Sequence, residues 1–301
     1  MGRRRVLIAL VAMAAITIGG LAGCSEERAP EPTVPARELT GPEQARLGYA
    51  EELLVQRCME RKGFRYRAQR PLEGVELQNS GFVLDDVEWA RAHGYGSDVG
   101  RKVEAARRDD PNRLYAEGLS GARLAQYRAA LLGGPDSRKL SVDLPTGQRV
   151  TAELGGCQAQ AGKELYGDPE TWFRVDTIAV NLLPLYVPQL VKDERFADAV
   201  DAWARCMRGK GHDYADPNEI DAALPALLKK QSPAAARTTE VRLAVAEATC
   251  AHSSGLAATG ERLEREYRLR ASKPYASELA TRSRLQHTAL AQAGEIVGSL
   301  G

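Results

Sequence analysis

The chain has 301 residues, and its 41 Lys and Arg residues against 40 Asp and Glu residues give a formal net charge of +1. Its composition, with 44% hydrophobic and 27% charged residues, is that of a globular protein and excludes wholesale disorder. The near-neutral charge argues against a nucleic-acid partner, because binding to phosphates relies on a basic surface that displaces counterions. The five cysteines are an odd number and need an explanation.

Residues 1–23 have the pattern of a targeting segment rather than of a fold element. Three arginines, Arg3 to Arg5, precede an uncharged and mostly apolar run over residues 6–21. This run is short for a bilayer span, which needs about 20 apolar residues. It ends in the tetrapeptide Leu21-Ala22-Gly23-Cys24.

The charged start, the apolar run and the small residues before Cys24 resemble the lipobox of bacterial lipoproteins. The resemblance implies that the Cys24 thiol receives a diacylglycerol and becomes the N-terminus after the signal peptide, residues 1–23, is removed. The alternatives are an uncleaved anchor and an ordinary signal peptide. Lipidation would place the protein on the extracytoplasmic face of the cell membrane, with the membrane as its partner through acyl chains.

Cleavage before Cys24 would remove three arginines and no acid, which changes the formal net charge from +1 to −2. Residues 24–42 are rich in proline and charge, so we expect a flexible tether between the lipid and the body. The alternative is that this segment packs against the body.

The first predicted helix of the body begins at Thr40 and ends at Gly63. Thr40 and Glu43 form a capping-box pattern, Pro42 lies in the first turn, and Gly63 is placed to stop the helix. Leu54 and Cys58 fall on one apolar face of this helix.

Two segments of the body occur twice in the same order. Residues 57–66 and 205–214 share Arg-Cys-Met-x-x-Lys-Gly-x-x-Tyr, and residues 157–167 and 250–260 share Cys-x4-Gly-x4-Gly. We therefore expect a duplication, with a first repeat half over residues 43–192 that contains an insertion and a second over residues 193–301. Chance recurrence of short words in a chain rich in Ala, Arg, Gly and Leu is the alternative.

Capping residues, glycine stops and apolar spacing predict the remaining elements. We expect helices over 86–93, 120–132, 168–183, 193–210 and 216–230, a helix from about 239, one or two helices after 260 interrupted near Pro274, and a hairpin over 140–151. Pro184 and Pro188 should kink or break the chain after the 168–183 helix. The fold class is mainly α, a helical body with two cysteine-containing halves and at most a small β-hairpin.

Four cysteines remain in the body once Cys24 is assigned to the lipid, and outside the cytoplasm paired thiols oxidise. Of the three possible connectivities, the repeat favours Cys58–Cys157 with Cys206–Cys250, and pairings that cross between the halves are the alternative. Each such bond would stabilise the fold by about 4 kcal/mol in the chain-entropy model.

A zinc site built from Cys206, His212, Cys250 and His252 is the competing use of these thiols. The positions equivalent to the two histidines in the first half are Phe64 and Ala159, so the histidines are not part of the repeat. We therefore predict neither a metal nor a cofactor.

No catalytic motif is found, and the sequence favours a protein that is not an enzyme. The whole chain is similar to secreted or lipid-anchored proteins of unknown function from high-G+C Gram-positive bacteria. The residues that carry this resemblance are Cys24, the two Arg-Cys-Met-x-x-Lys-Gly motifs and the segment 156–167. It implies an address and a fold but no activity.

The leading hypothesis is a non-enzymatic envelope lipoprotein that binds a protein, a cell-wall component or a small ligand. The alternative is an envelope enzyme with an unrecognised active site. A deep pocket with polar groups from both halves, in particular Asp168, Trp172 or His252, would favour the enzyme.

Overall fold

A computed structural model describes residues 37–72 and 82–301 of the chain. It confirms the mainly α fold class, because the described residues form α-helices and a single two-stranded antiparallel sheet. In chain order the helices are α1 (Gly41–Arg61), α2 (Val87–His93), α3 (Ser97–Arg108), α4 (Pro111–Glu117), α5 (Gly121–Leu132), α6 (Gly156–Tyr166), α7 (Pro169–Val180), α8 (Leu183–Leu190), α9 (Glu194–Gly209), α10 (Pro217–Lys229), α11 (Pro233–Ser253), α12 (Leu256–Ser272) and α13 (Ala276–Leu300).

The sheet is the predicted hairpin, with β1 over Arg138–Asp143 and β2 over Arg149–Leu154. The register pairs Val142 with Val150, and Gly147 has a φ of 83°, as the turn between the strands requires. Val142 is buried and packs against Ile178 of α7 and Leu182. The hairpin is therefore attached to the helical body through one apolar face.

Several predicted boundaries differ from the structure. Helix α11 begins at Pro233, because Ser232 caps it and proline suits the first turn, so it starts six residues before the predicted position 239. Gly260 lies inside α12 rather than before it. Helices α3 and α4 were not predicted, although Asp110 caps α4 by accepting from the amide of Asn112.

The segment after α7 breaks where the prolines predicted a break. Helix α7 ends at Val180, two residues follow, and α8 begins with Pro184 in its first turn. Pro188 lies inside α8, where it leaves one backbone hydrogen bond unmade. Near Pro274 a short 3₁₀ turn, Lys273–Tyr275, separates α12 from α13.

Two large hydrophobic cores and two smaller clusters lie among the described residues. The first core is formed by α1, α5, α6 and α13, and Cys58 and Cys157 are among its buried residues. The second core is formed by α8 to α12 together with Val83, and contains Trp203, Met207 and Cys250.

The two cores do not follow the sequence division at residue 193. The C-terminal helix α13 contributes Ala289 and Ala293 to the first core, where it packs on α1. Conversely, Val83 belongs to the second core and α2 packs on α11. Each half of the sequence therefore supplies a segment to the core of the other.

The last residues of the predicted tether pack against the body. The side chain of Leu39 is buried in the first core, and the Glu38 carboxylate pairs with Arg268 at 2.8 Å. The carbonyl oxygen of Arg37 lies 2.8 Å from Nε2 of His287. The prediction of a free segment up to residue 42 is corrected here, because the apolar Leu39 gains by burial against α1.

The helices α1 and α9 end in the same way. Each carries a Schellman motif, in which the amide of Phe64 or His212 donates to the carbonyl of Met59 or Met207 at 3.0 and 2.9 Å. The glycines at these ends, Gly63 and Gly211, have φ values of 75° and 84°, which other residues rarely adopt.

The second pair of matching segments does not share a conformation. Cys157 lies in the first turn of α6, which ends before Gly167. Cys250 lies in the last turn of α11, and the glycine that matches Gly162, Gly255, separates α11 from α12. The likeness of the two halves is therefore local to the ends of α1 and α9.

Candidate functional site

The two disulfides have the connectivity that the repeat predicted. Cys58 is bonded to Cys157 and Cys206 to Cys250, with a Cα–Cα distance of 5.6 Å in each case. The first bond joins the end of α1 to the start of α6, and the second joins α9 to α11. Neither crosses between the halves. Cys24, the predicted lipidation site, lies outside the described residues.

The zinc alternative is excluded for Cys206 and Cys250, because sulfurs joined in a disulfide are not thiolate ligands. Nε2 of His252 lies 2.6 Å from the carbonyl oxygen of Asp85, where it holds the start of α2. Within residues 37–72 and 82–301, no three His, Cys, Asp or Glu side chains are arranged to hold a metal.

The three residues that would have marked an active site from both halves serve separate structural roles. Asp168 caps α7 by accepting from the amide of Thr171 at 2.8 Å. Trp172 stacks on Tyr166 with ring centroids 3.7 Å apart. Since His252 contacts Asp85 beside α2, no shared polar cluster results.

The strongest candidate site is a cavity of about 720 Å³ beside the second core. This volume is in the range of small-molecule pockets in proteins. Its walls are the segment 82–95, the end of α8, the first half of α9, the start of α10 and Glu247 of α11. Four aromatic side chains line it, and these are Phe82, Trp89, Tyr95 and Phe196.

Polar side chains of α11 hold the wall formed by residues 82–97. Arg237 donates to the carbonyl oxygen of His93 at 2.7 Å. Glu240 accepts from the backbone amides of Tyr95 and Ser97 at 3.0 and 3.1 Å. Because these contacts fix the turn between α2 and α3, the aromatic wall of the cavity is preorganised.

Glu247 is the most unusual group in the cavity, since only 3% of it is exposed. Its carboxylate accepts from the Tyr95 hydroxyl at 2.5 Å and from the amide of Leu84 at 3.2 Å. Burial raises the pKa of Glu247 to about 7, and the negative charge of Asp221 adds to the rise against the two hydrogen bonds. Burial beside this carboxylate also raises the pKa of Tyr95 far above its usual range.

Three further carboxylates line the cavity, on α9 and α10. Asp216 caps α10 through the amides of Asn218 and Glu219. Asp201 and Asp221 are exposed and make no ion pair with a described residue. Although its side chain is exposed, the surrounding protein atoms displace part of the water near the Asp221 carboxyl, and this desolvation raises its pKa. No Lys, Arg or His belongs to the described lining, so the cavity has a single sign of charge.

No motif of the sequence predicts this site, although α11 carries a signal for it. Glu240 and Glu247 stand seven residues apart in an otherwise Ala-, Val- and Leu-rich stretch, which places both on the buried face of one helix. Charged residues are almost never fully buried without a partner, so two acids at core spacing mark a polar site.

Comparison with known proteins finds no similar protein. No protein-family model, no curated protein and no solved structure matches the chain. The described part of the chain contains no helix long and apolar enough to span a bilayer.

Proposed function

We propose that this chain is a lipid-anchored binding protein on the extracytoplasmic face of the cell membrane. The observation that carries the proposal is the N-terminal pattern, three arginines and an apolar run ending in Leu21-Ala22-Gly23-Cys24. Residues 1–23 are then the signal peptide, and acyl chains on Cys24 hold the protein at the membrane, each buried CH₂ contributing about 0.8 kcal/mol.

The two disulfides support an address outside the cytoplasm. Disulfides persist in oxidising compartments and are rare where glutathione and thioredoxin keep thiols reduced. All four cysteines of the body are paired, in Cys58–Cys157 and Cys206–Cys250, which leaves Cys24 as the single cysteine for another use.

The matching ends of α1 and α9 support an origin of the two halves by duplication. The shared Arg-Cys-Met-x-x-Lys-Gly residues form the same Schellman end and carry a cysteine that pairs within its own half. In this view the duplicated unit is a disulfide-linked helix end.

The cavity beside the second core is the binding site in this proposal. Its walls combine aromatic rings and a few polar groups, as ligand pockets do. Its described lining contains no serine, cysteine or histidine that would act as a nucleophile or base, which favours binding over catalysis.

One observation favours the second candidate, an envelope enzyme. A buried carboxyl whose pKa is raised to about 7, with a tyrosine hydroxyl 2.5 Å away, has the properties of a general acid. In that case the purified chain would show a turnover that the Glu247→Gln variant loses.

Fatty-acid labelling tests the anchor directly. Cells that express the full chain are grown with an alkyne-tagged fatty acid, and the chain is isolated and probed for the tag. We expect the wild type to be labelled and Cys24→Ala to carry no label, whereas Gly23→Ala, which keeps a small residue before the cysteine, stays labelled. An unlabelled wild type, or a labelled Cys24→Ala variant, would refute lipidation at this position.

A further inference from the structure

The cavity beside the second core shows a contrast between two buried acids of α11. Glu240 is 2% exposed, and the guanidinium of Arg237 lies 3.8 Å from its carboxylate. Glu247, two turns further along the same helix, is 3% exposed and makes no ion pair with a described residue. Its hydrogen-bond donors are a hydroxyl and an amide, both uncharged.

A buried carboxylate without a cation is costly, because the protein interior solvates a charge poorly. The fold satisfies Glu240 from its own helix and leaves Glu247 without a positive partner at the wall of a cavity. Asp221 adds a second negative charge close enough to raise the pKa of Glu247. The site is therefore short of positive charge, which a proton supplies in the empty cavity and a cationic ligand can supply in its place.

The aromatic side chains of the cavity indicate what kind of cation would fit. The rings of Phe82 and Phe196 are in edge-to-face contact with centroids 5.4 Å apart, and Trp89 lines the same cavity. The faces of such rings carry negative potential, so they attract an organic ammonium group as well as an apolar body. A hydrated metal ion gains little from these walls.

We propose that this cavity binds an organic cation, an amine with an aromatic or branched apolar body, with its ammonium group at Glu247 and Asp221. The apolar body lies among Phe82, Trp89 and Phe196. Asp201 at the exposed rim adds to the attraction for a cation and repels anions. The inference rests on the proposed function in one respect, that this cavity is the binding site.

Three probes with one aromatic body and different charges test the proposal. The purified full chain, in phosphatidylcholine nanodiscs, is equilibrated at about pH 8 with phenethylammonium, phenethyl alcohol or phenylacetate, and binding is measured by equilibrium dialysis against empty nanodiscs. At this pH the amine is protonated. We expect phenethylammonium to bind at least tenfold more tightly than the alcohol, and phenylacetate to bind more weakly than either.

Two variants connect the preference to the carboxylates. In Glu247→Gln, the ratio of the affinity for phenethylammonium to the affinity for phenethyl alcohol should fall about tenfold. The alcohol should still bind, which shows that the cavity of the variant has kept its shape. Asp221→Asn, at an exposed position, should reduce it by a smaller factor. Asp198→Asn, at an exposed position of α9 that is not part of the described cavity lining, is the matched control and should change nothing.

Equal binding of the three probes, a preference for phenylacetate, or no measurable binding of phenethylammonium at millimolar concentration would overturn the proposal. A preference that survives both Glu247→Gln and Asp221→Asn would overturn it as well. These outcomes are separate from failure of the lipid anchor, which the fatty-acid label reports, and binding of the alcohol alone would keep the cavity as a binding site without the cation.

Discussion

The two cores are built around the same helix end, and they differ in the cavity beside each. At the first core, a cavity of about 490 Å³ is lined by both signs of charge, with Arg128 and Lys163 as well as Glu51 and Asp176. At the second core, the described lining of the cavity of about 720 Å³ contains carboxylates and no basic side chain. Positive and negative side chains in one lining can neutralise each other. A lining that carries only negative side chains attracts a cationic ligand.

The aligned positions show where this difference arises. Asp201 stands five residues before Cys206, and the matching residue before Cys58 is Leu53, which is 4% exposed. Glu247 stands three residues before Cys250 within helix α11, whereas Leu154, three residues before Cys157, lies in strand β2, so the first half has no structural equivalent of Glu247. The residues that the halves share stabilise helix ends, and the residues that they do not share make the candidate site.

Removing the disulfides one at a time is the most severe way to compare the two cores. The chain-entropy model gives about 5 kcal/mol for the bond that closes 99 residues, Cys58–Cys157, and about 4 kcal/mol for the one that closes 44, Cys206–Cys250. Double Cys→Ala variants of each pair should lose stability in that order in urea unfolding. If either double variant lost less than about 1 kcal/mol in free energy of unfolding, it would contradict the view that both disulfides stabilise the fold.

The pH dependence of stability should distinguish the second core through Glu247. The folded-state pKa of about 7 lies above the ordinary value of 4.5, so the folded chain binds a proton that the unfolded chain releases. The contribution of Glu247 to the free energy of unfolding is therefore largest below pH 4.5. It falls by about 3 kcal/mol as the pH rises to about 7.

The Glu247→Gln variant should lose this decline, because glutamine does not titrate. The groups that face Glu247 are the Tyr95 hydroxyl and the Asp221 carboxylate, and both remain in the variant. Urea unfolding of wild type and variant at a series of pH values measures the difference, with Asp198→Asn as a change of charge outside the cavity. Parallel curves for wild type and Glu247→Gln would show that this carboxyl is not perturbed.

The smallest expected loss of stability comes from replacing the glycine at the end of α1 or of α9, and it should be equal at the two ends. Ala in place of Gly63 or Gly211 must adopt a positive φ, which costs about 1–2 kcal/mol, and no crowding adds to this cost at Gly211. Gly209→Ala, inside the last turn of α9, is the matched control and should be neutral or slightly stabilising. Thermal unfolding that shows a loss at one of the two glycines only would mean that the helix ends are not equivalent.

The sequence predicted those features that depend on local chemistry. Thr40 and Glu43 form both hydrogen bonds of the capping box, Asp86, Asp168 and Asp216 cap helices, and Gly63 and Gly94 follow helix ends. The hairpin lies where alternation and Gly147 placed it. The disulfide pairing followed from the repeat, because a shared unit is expected to bond within itself.

Local sequence patterns do not predict which segments of the chain pack in which core. That α13 returns to α1, and that residues 82–97 lie on α11, depends on tertiary packing between segments far apart in sequence. The cavity shares this property, since Phe82 lies before α2 while Phe196, Asp221 and Glu247 lie in three different helices. Spacing along α11 marked Glu247 as unusual, but its lack of a cation appears only when the neighbouring elements are placed around it.

The most direct test of the central claim, that the second core holds the binding site, is a crystal structure of the chain with phenethylammonium. We expect the ammonium nitrogen within about 4 Å of a carboxylate oxygen of Glu247 or Asp221, and the phenyl ring against Trp89 or Phe196. A ligand in the cavity of the first core, or one whose ammonium group points away from both carboxylates, would contradict it.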